Sequence, residues 1–223
     1  YLPALALSAQ IHLALKSLEL AEQHARRVVE AAPNAAIGYR LLGTTYVRNN
    51  EPDKALKLLQ PLFDRGAKDG ALYAIAGEAA LRANEPARAA AYFDQAAKLA
   101  PKDSRVVTGL ALASLATGER ERGITELEQA SGMENGSAQA DYALVMTHLR
   151  AREYDKALAA VDRLEKKQPD SALAANLRGS VFAGALLLGE SVFGTPIGEY
   201  SARLLVVSNA NGNVPVNAAG SSA

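Results

Sequence analysis

The fold of this chain is decided by two consecutive segments of equal length, AIGYRLLGTTYVRNNEPDKALKLLQPLFDRGAKD at residues 36–69 and GALYAIAGEAALRANEPARAAAYFDQAAKLAPKD at residues 70–103. Each segment has a glycine at its eighth position, Gly43 or Gly77, and an alanine at its twentieth. In both, the sequence Asn-Glu-Pro separates two stretches whose apolar residues have helical spacing. The two segments therefore describe one structural unit, a pair of helices, used twice.

The same unit recurs along most of the chain. Six copies begin 34 residues apart, at Leu2, Ala36, Gly70, Ser104, Ala138 and Ala172. Counted from these starts, position eight is Ala or Gly in every copy except one, which has Val145, and position twenty is Ala or Gly in the first five. One helical hairpin cannot bury both of its faces alone, so this period predicts a stack of hairpins.

The repeated positions predict how the helices pack. The small residues at positions eight and twenty should face each other where the two helices of a hairpin cross, and larger residues at positions seven and twenty-four should fill the layer between hairpins. We expect the asparagine before Pro52 to cap the second helix, and the proline itself costs little in a first helical turn. Pro61 lies inside the second helix of copy two and should kink or shorten it.

This spacing and residue set resemble the tetratricopeptide repeat family over residues 2 to about 182. The resemblance implies an all-α fold, a right-handed superhelical solenoid of antiparallel helix hairpins. We expect five complete 34-residue repeats and a partial sixth, which together form a repeat domain at residues 2–183. The large aromatic residue that the family has at position four is present here only as Tyr39 and Tyr73.

The pattern ends in the sixth copy. Its expected second helix, from about residue 188 to 200, is interrupted by glycines and a proline. We therefore predict a non-repeat Gly/Asn/Val-rich tail at residues 184–223 with loop or β character, in which Asn211-Gly212 resembles a hairpin turn. Three interpretations of this tail stay open: a flexible terminus, a segment that covers the solenoid end or adds a strand to a partner, and a foreign segment.

Composition argues against several classes of function. Lys plus Arg and Asp plus Glu number 24 each, and this balance disfavours nucleic-acid binding. The absence of cysteine excludes disulfides, thiol catalysis and cysteine-based zinc sites. The longest apolar run is about half of the ~18 residues that a membrane span needs, so we expect no direct membrane span.

The chemistry-bearing side chains form no recognisable catalytic pattern. His12 and His148 fall at position eleven, where Tyr46 and Phe182 stand in other copies, so a packing role is expected; His24 should lie near solvent. Acidic pairs occur at i, i+2 and therefore point to different faces of a helix. We predict that the protein is not an enzyme and that it has no catalytic residue, cofactor or metal site.

The resemblance also implies a binding surface, because in this family the first helix of each hairpin lines a concave groove. Its positions two, five, nine, twelve and thirteen contribute the side chains. The candidate partner-binding residues are Arg40, Thr44, Arg48, Glu78, Arg82, Arg105, Thr108, Tyr142, Met146, Arg150 and Asn176. Arginine and tyrosine are effective anchors for a peptide. No copy has the Lys and Asn pair of the family's chaperone-tail clamp at positions five and nine, so an acidic chaperone C-terminus is not the expected ligand.

These observations predict a non-enzymatic scaffold that binds a protein or peptide segment in the groove. The string Ala174-Ala175-Asn176-Leu177-Arg178-Gly179 resembles bacterial envelope repeat lipoproteins of exopolysaccharide export and exosortase (PEP-CTERM) sorting. This resemblance implies a periplasmic adaptor and favours the cell envelope over the cytoplasm. The alternative is a structural subunit that self-associates end to end through its repeats and its tail.

Overall fold

The computed structural model describes residues 1–188, and the rest of the predicted tail lies outside the described residues. The described part is entirely helical. Its helices are α1 (Leu2–Ala14), α2 (Leu18–Ala31), α3 (Ala36–Arg48), α4 (Pro52–Asp64), α5 (Gly70–Arg82), α6 (Pro86–Leu99), α7 (Ser104–Ala116), α8 (Arg120–Gly132), α9 (Ala138–Arg150), α10 (Tyr154–Lys167) and α11 (Ala172–Leu188).

The chain divides into two compact units, and each is a series of helix pairs. Unit 1 (Tyr1–Ser137) contains the four hairpins from α1 to α8, and unit 2 begins at Ala138 and contains α9, α10 and α11. Within each unit consecutive helices pack on each other, and first helices of successive hairpins also pack together. The predicted all-α fold of five hairpins and a partial sixth is confirmed.

The small residues at positions eight and twenty meet where the helices cross, as predicted. A Cβ atom added to Gly123 would lie 3.0 Å from the carbonyl oxygen of Ala111. Position twenty-four also packs against position eight. A Cβ atom added to Gly77 would lie only 2.7 Å from the ring of Phe93. The repeated small residues therefore let large, buried side chains approach the backbone of the facing helix.

The turn inside each hairpin has one conformation, set at position fifteen. This residue has a positive φ in all five complete copies, as Lys16, Asn50, Asn84, Gly118 or Arg152. The amide of the next residue donates to the carbonyl of position eleven, as Glu51 does to Tyr46 at 2.8 Å. This is the Schellman motif, in which a residue in the left-handed conformation follows the C-cap and the next amide satisfies one of the last carbonyls of the helix. The expected asparagine N-cap was wrong. Helix α3 ends at Arg48 with Asn49 as its C-cap, Asn50 is the residue of positive φ that follows, and Glu51 is the N-cap residue of α4.

Two helices run further than the sequence predicted. Helix α4 continues for three residues beyond Pro61, so this proline does not shorten it. Pro61 and Lys57 are both exposed, and the carbonyl of Lys57, which loses its helical donor, can be hydrated. Helix α11 passes through Gly184 and ends at Leu188, so the expected boundary near residue 184 falls inside it.

Position four is filled differently in the two units. In unit 1, Tyr73 stacks on Phe63 with ring centroids 4.3 Å apart, and Tyr92 completes this aromatic cluster. In unit 2 the same position is Asp141, which is completely buried. Its carboxylate accepts a hydrogen bond from Nε of Arg163 at 3.3 Å, and one from Nζ of Lys167 at 2.6 Å.

Candidate partner-binding faces

The predicted binding residues lie on first helices in both units. The first-helix face of unit 1 comprises Arg40, Thr44 and Arg48 on α3, Glu78 and Arg82 on α5, and Arg105 on α7. The first-helix face of unit 2 comprises Tyr142, Met146 and Arg150 on α9 and Asn176 on α11. We describe each face by itself.

Arg40 is bound to a neighbouring hairpin of unit 1. Its Nε donates to Oδ2 of Asp69 at 3.0 Å. Oδ1 of Asp69 accepts from the amides of Ala71 and Leu72 and so caps the first turn of α5. The carboxylate therefore joins α3 to α5, and it pairs with an arginine that the sequence pattern assigned to partner binding.

The two position-thirteen arginines of unit 1 are also engaged. Nη1 of Arg48 donates to the carbonyl oxygen of Leu13 at 2.9 Å, which connects the C-terminal ends of α3 and α1. Nη2 of Arg82 lies 3.2 Å from Oε1 of Glu78, one turn earlier on α5. Both guanidinium groups already have a partner within unit 1.

Arg105 forms a bidentate pair with the residue that caps its own helix. Its Nε and Nη2 donate to the two carboxylate oxygens of Asp103 at 3.1 and 2.8 Å. The same carboxylate accepts the amide of Arg105 and caps α7. Hydrogen bonds from the Arg105 side chain, together with the backbone amides, hold the pKa of Asp103 below its usual range.

Thr108 does not belong to the surface, contrary to the sequence prediction. Its side chain is 1% exposed, and Oγ1 donates to the carbonyl oxygen of Ser104 at 2.6 Å. A threonine hydroxyl satisfied inside its own helix can be buried without loss of a hydrogen bond. Thr44, at position nine of α3, is half-buried and stays at the surface.

The face of unit 2 has a different character. Tyr142, Met146 and Arg150 follow one another at i, i+4 and i+8 along α9 and so form one stripe. Tyr142 is 38% exposed, Met146 is half-buried and Arg150 is exposed. Among residues 1–188 no side chain pairs with the Arg150 guanidinium. Asn176 is also exposed, on α11, which packs on α9.

The histidines are packing residues with local partners. His148 is buried, and its Nδ1 lies 2.6 Å from Oε2 of Glu153. His24 is half-buried rather than near solvent, because its Nδ1 lies 2.6 Å from Oγ of Ser8 and its ring lies beside that of His12. No group of three or more potential metal-ligating side chains is present in the part of the chain that the structure describes.

Two shallow clefts lie along the loops of unit 1. One, of about 380 Å³, is lined by residues of the loops before α3 and α5, and the other, of about 570 Å³, by residues before α7 and after α8. Both contain the capping aspartates, Asp69 or Asp103. Up to residue 188, no helix has both the length and the apolar character needed to cross a membrane.

The comparisons with known proteins agree with this geometry. Two tetratricopeptide repeat family models match residues 40–104 and 120–181, which together make up more than half of the chain. The chain belongs to the tetratricopeptide repeat family. TPR proteins bind protein or peptide partners, and the described helix pairs are those of such a scaffold. No curated protein sequence matches the chain.

Solved TPR structures share the fold at low sequence identity. The thermophilic TPR protein TTC0263 of Thermus thermophilus is 19% identical with a TM-score of 0.71, over 83% of this chain and 100% of that one. PilW, described as a widely conserved type IV pilus biogenesis factor, is 16% identical with a TM-score of 0.74 over 92% of each chain. YrrB, described as a TPR protein with an unusual peptide-binding site, is 22% identical with a TM-score of 0.56, over 75% of this chain and 87% of that one.

Proposed function

We propose that this TPR protein is a non-enzymatic scaffold whose first-helix face of unit 2 binds an extended peptide or protein segment. The observation that carries the proposal is the α9 stripe of Tyr142, Met146 and Arg150. It combines an exposed aromatic ring, an adaptable thioether and a guanidinium without a partner among the described residues. These are the side chains that anchor partners at protein interfaces.

The residues of unit 1 have a smaller part in this proposal. Arg40, Arg82 and Arg105 each face a carboxylate within hydrogen-bond distance. A ligand carboxylate would have to compete with Asp69, Glu78 or Asp103 for these groups, so the gain in affinity is small. Thr44 and Arg48 offer polar surface, and Thr108 is excluded because it is buried.

The charge of the ligand follows from the same stripe. A segment with a carboxylate opposite Arg150 and an apolar side chain against Tyr142 and Met146 fits the α9 face. The family's use of first helices for binding, and the peptide-binding site described for YrrB, support the choice of this surface.

The test uses peptides selected from a random display library against the 223-residue chain. We expect the double variant Tyr142→Ala/Arg150→Ala to raise the Kd of a selected peptide about 30-fold, which corresponds to roughly 2 kcal/mol. Arg82→Ala is the matched control, because Arg82 and Arg150 both occupy position thirteen. It should change the Kd less than about threefold.

Either of two results would overturn the proposal. One is a library that yields no binder. The other is a selected peptide whose Kd is the same for the parent chain and the double variant while circular dichroism shows that both are folded.

We extend the proposal to an adaptor role in the bacterial cell envelope. The Ala174–Gly179 string supports it, and PilW, a pilus biogenesis factor with the same fold, is consistent with it. Fractionation of the source cells followed by immunoblotting tests this part. Detection in periplasmic or membrane fractions is expected, and detection in the cytosol alone would contradict it.

A further inference from the structure

The loop that follows the second helix of a hairpin has two forms, and position thirty-two decides between them. It is proline in the first and third copies, as Pro33 and Pro101, but alanine in the second, as Ala67. A residue before proline is kept out of the helical region, and Ala100 accordingly has a φ of −139°. Without a following proline, Gly66 has a φ of 77°, and α4 ends one repeat position earlier than α6. The second hairpin therefore ends in a different loop from the third.

This difference opens a cleft in the second hairpin. In the third hairpin the start of α5 lies against the end of α6, because a Cβ atom added to Gly70 would be 3.3 Å from the Cβ atoms of Leu99 and Ala100. In the second hairpin the residue equivalent to Ala100 is Gly66, and a Cβ atom added there would meet no described atom within 4 Å. The space between the start of α3 and the end of α4 is the cleft of about 380 Å³ in unit 1. We call it the α3–α4 cleft.

Apolar side chains from three helices form the walls of the α3–α4 cleft. They are Tyr39 of α3, Leu62 of α4 and Leu72 of α5. Leu72 is buried, and the other two are half-buried. The hydroxyl of Tyr39 donates to the carbonyl oxygen of Pro33 at 3.0 Å, so the ring is held in place. A concave site with this volume and lining accommodates a small ligand that has an apolar body.

Two cations lie at the solvent-exposed edge of the α3–α4 cleft. Arg65 and Lys68 both line the cleft, and both are exposed. Within residues 1–188 neither of them is paired with a carboxylate. Asp69 also lines the cleft, but its carboxylate is already bound by Arg40 and by two amides of the first turn of α5. The unmatched charge at this edge is therefore positive, and the group that complements it is an anion.

We propose that the α3–α4 cleft binds a small aromatic carboxylate. The ring of the ligand packs against Tyr39, Leu62 and Leu72, and its carboxylate accepts hydrogen bonds from Arg65 and Lys68. Both parts of the ligand are needed, because a ring alone leaves the two cations without a partner and a carboxylate alone leaves the apolar walls in water. None of these residues belongs to the α9 stripe. The site therefore goes beyond the proposed peptide binding and does not depend on it.

An NMR titration of the isotope-labelled 223-residue chain tests the proposal with three matched probes. Phenylpropionate carries both groups, phenylpropionamide lacks the charge, and acetate lacks the ring. We expect phenylpropionate to shift the backbone amide resonances of Gly66 and Lys68 with a Kd of about 1 mM, the scale for a ligand of this size. Phenylpropionamide and acetate should each bind at least about fivefold more weakly.

Two variants separate the charge of the cleft from its shape. Arg65→Gln/Lys68→Gln removes the two cations and should raise the Kd of phenylpropionate about fivefold. Gly66→Ala/Ala67→Pro gives the second hairpin the Ala-Pro pair of the third and keeps both cations. It should close the cleft and so raise the Kd of phenylpropionate at least about tenfold.

Lys57→Gln/Lys98→Gln is the matched control, because both lysines are exposed and neither lines the cleft. It removes the same charge and should change the Kd less than about twofold. The proposal is overturned if phenylpropionate at about 20 mM shifts no resonance of the cleft in the parent chain, or if phenylpropionamide binds as well as phenylpropionate. It is also overturned if either cleft variant, shown by circular dichroism to be folded, binds phenylpropionate as the parent does.

Discussion

The two units use the same repeat positions for different chemistry. At position four, unit 1 has Tyr73 in an aromatic cluster, whereas unit 2 has the buried Asp141 between Arg163 and Lys167. Both solutions hold the first helix of a hairpin to neighbouring helices. The 34-residue repeat therefore determines where a side chain lies. The neighbouring residues determine whether an aromatic or a charged side chain is stable at that position.

Position thirteen shows the same contrast at the surface. In unit 1, Arg48 and Arg82 are held by a carbonyl oxygen and a carboxylate. In unit 2, Arg150 has no such partner among the described residues. An arginine at one repeat position is thus a structural residue in one unit and a candidate anchor in the other.

Exchanging the position-four residues should have the largest effect. Tyr73→Asp removes the stacked ring and places a carboxylate among aromatic side chains, so we expect a loss of about 4 kcal/mol in the free energy of unfolding. Gln95 and Leu99 occupy positions twenty-six and thirty, where unit 2 has Arg163 and Lys167. Adding Gln95→Arg/Leu99→Lys should restore about half of the loss in urea denaturation. No recovery at all would mean that position four is not interchangeable between the units.

Removing the cations of unit 2 should have the next largest effect. Arg163→Ala/Lys167→Ala leaves a completely buried carboxylate without these two partners, at a cost of about 3 kcal/mol. Asp141→Ala should cost less, because the released Arg163 and Lys167 side chains, 41% and 28% exposed, can be hydrated. The same urea denaturation measures both, and a larger loss for Asp141→Ala would contradict this ion-cluster account.

The sequence predicted the repeated helical hairpins because their packing depends on the size and spacing of a few residues. Ala9, Ala55 and Gly123 are small for a reason that a single sequence displays, namely close helix crossing. The neutralisation of Arg40 was missed because Asp69 stands at position thirty-four, outside the helical stripe of groove positions, and acts through the next hairpin. Position thirty-four is an N-cap position, so its acidic residues were a usable signal.

Other details could not be obtained from the pattern. The burial of Thr108 depends on a hydroxyl that satisfies itself within its helix, and spacing does not distinguish this from an exposed threonine. The ion cluster of Asp141 could not be recognised in advance either, because an acidic residue at a position that is usually aromatic resembles a simple departure from the repeat. Both depend on contacts between helices.

The turn at position fifteen should give a smaller, stabilising effect. Arg152 has a φ of 60° in unit 2, where the equivalent residue of the fourth hairpin is Gly118. In the left-handed region of φ and ψ, a non-glycine residue costs about 1 kcal/mol of folding free energy. Arg152→Gly should therefore stabilise the chain by up to that amount. Asn84→Gly is the control and should gain less, because asparagine tolerates a positive φ. The melting temperatures of the two variants and the parent are compared by thermal unfolding. A lower melting temperature for Arg152→Gly would contradict the claim that Arg152 is strained.

The capping residue of α7, Asp103, predicts the smallest effect, a pH dependence of the folding free energy. The pKa of Asp103 is lowered in the folded state, so its contribution is fully present above its unfolded pKa of about 3.9 and is lost as the pH falls through the folded value. The stability difference between the parent and Asp103→Asn should therefore shrink by about 0.5 kcal/mol or less between about pH 6 and about pH 3. A difference that grows on acidification would contradict this sign.

The contrast between the two binding faces is tested most directly by photo-crosslinking with a selected peptide. Thr44 and Met146 both occupy position nine, one in each unit, and each can be replaced by a benzophenone-bearing amino acid. We predict that the peptide is crosslinked at position 146 and not at position 44. Crosslinking at position 44 alone, or equally at both positions, would contradict the claim that the first-helix face of unit 2 is the one that binds.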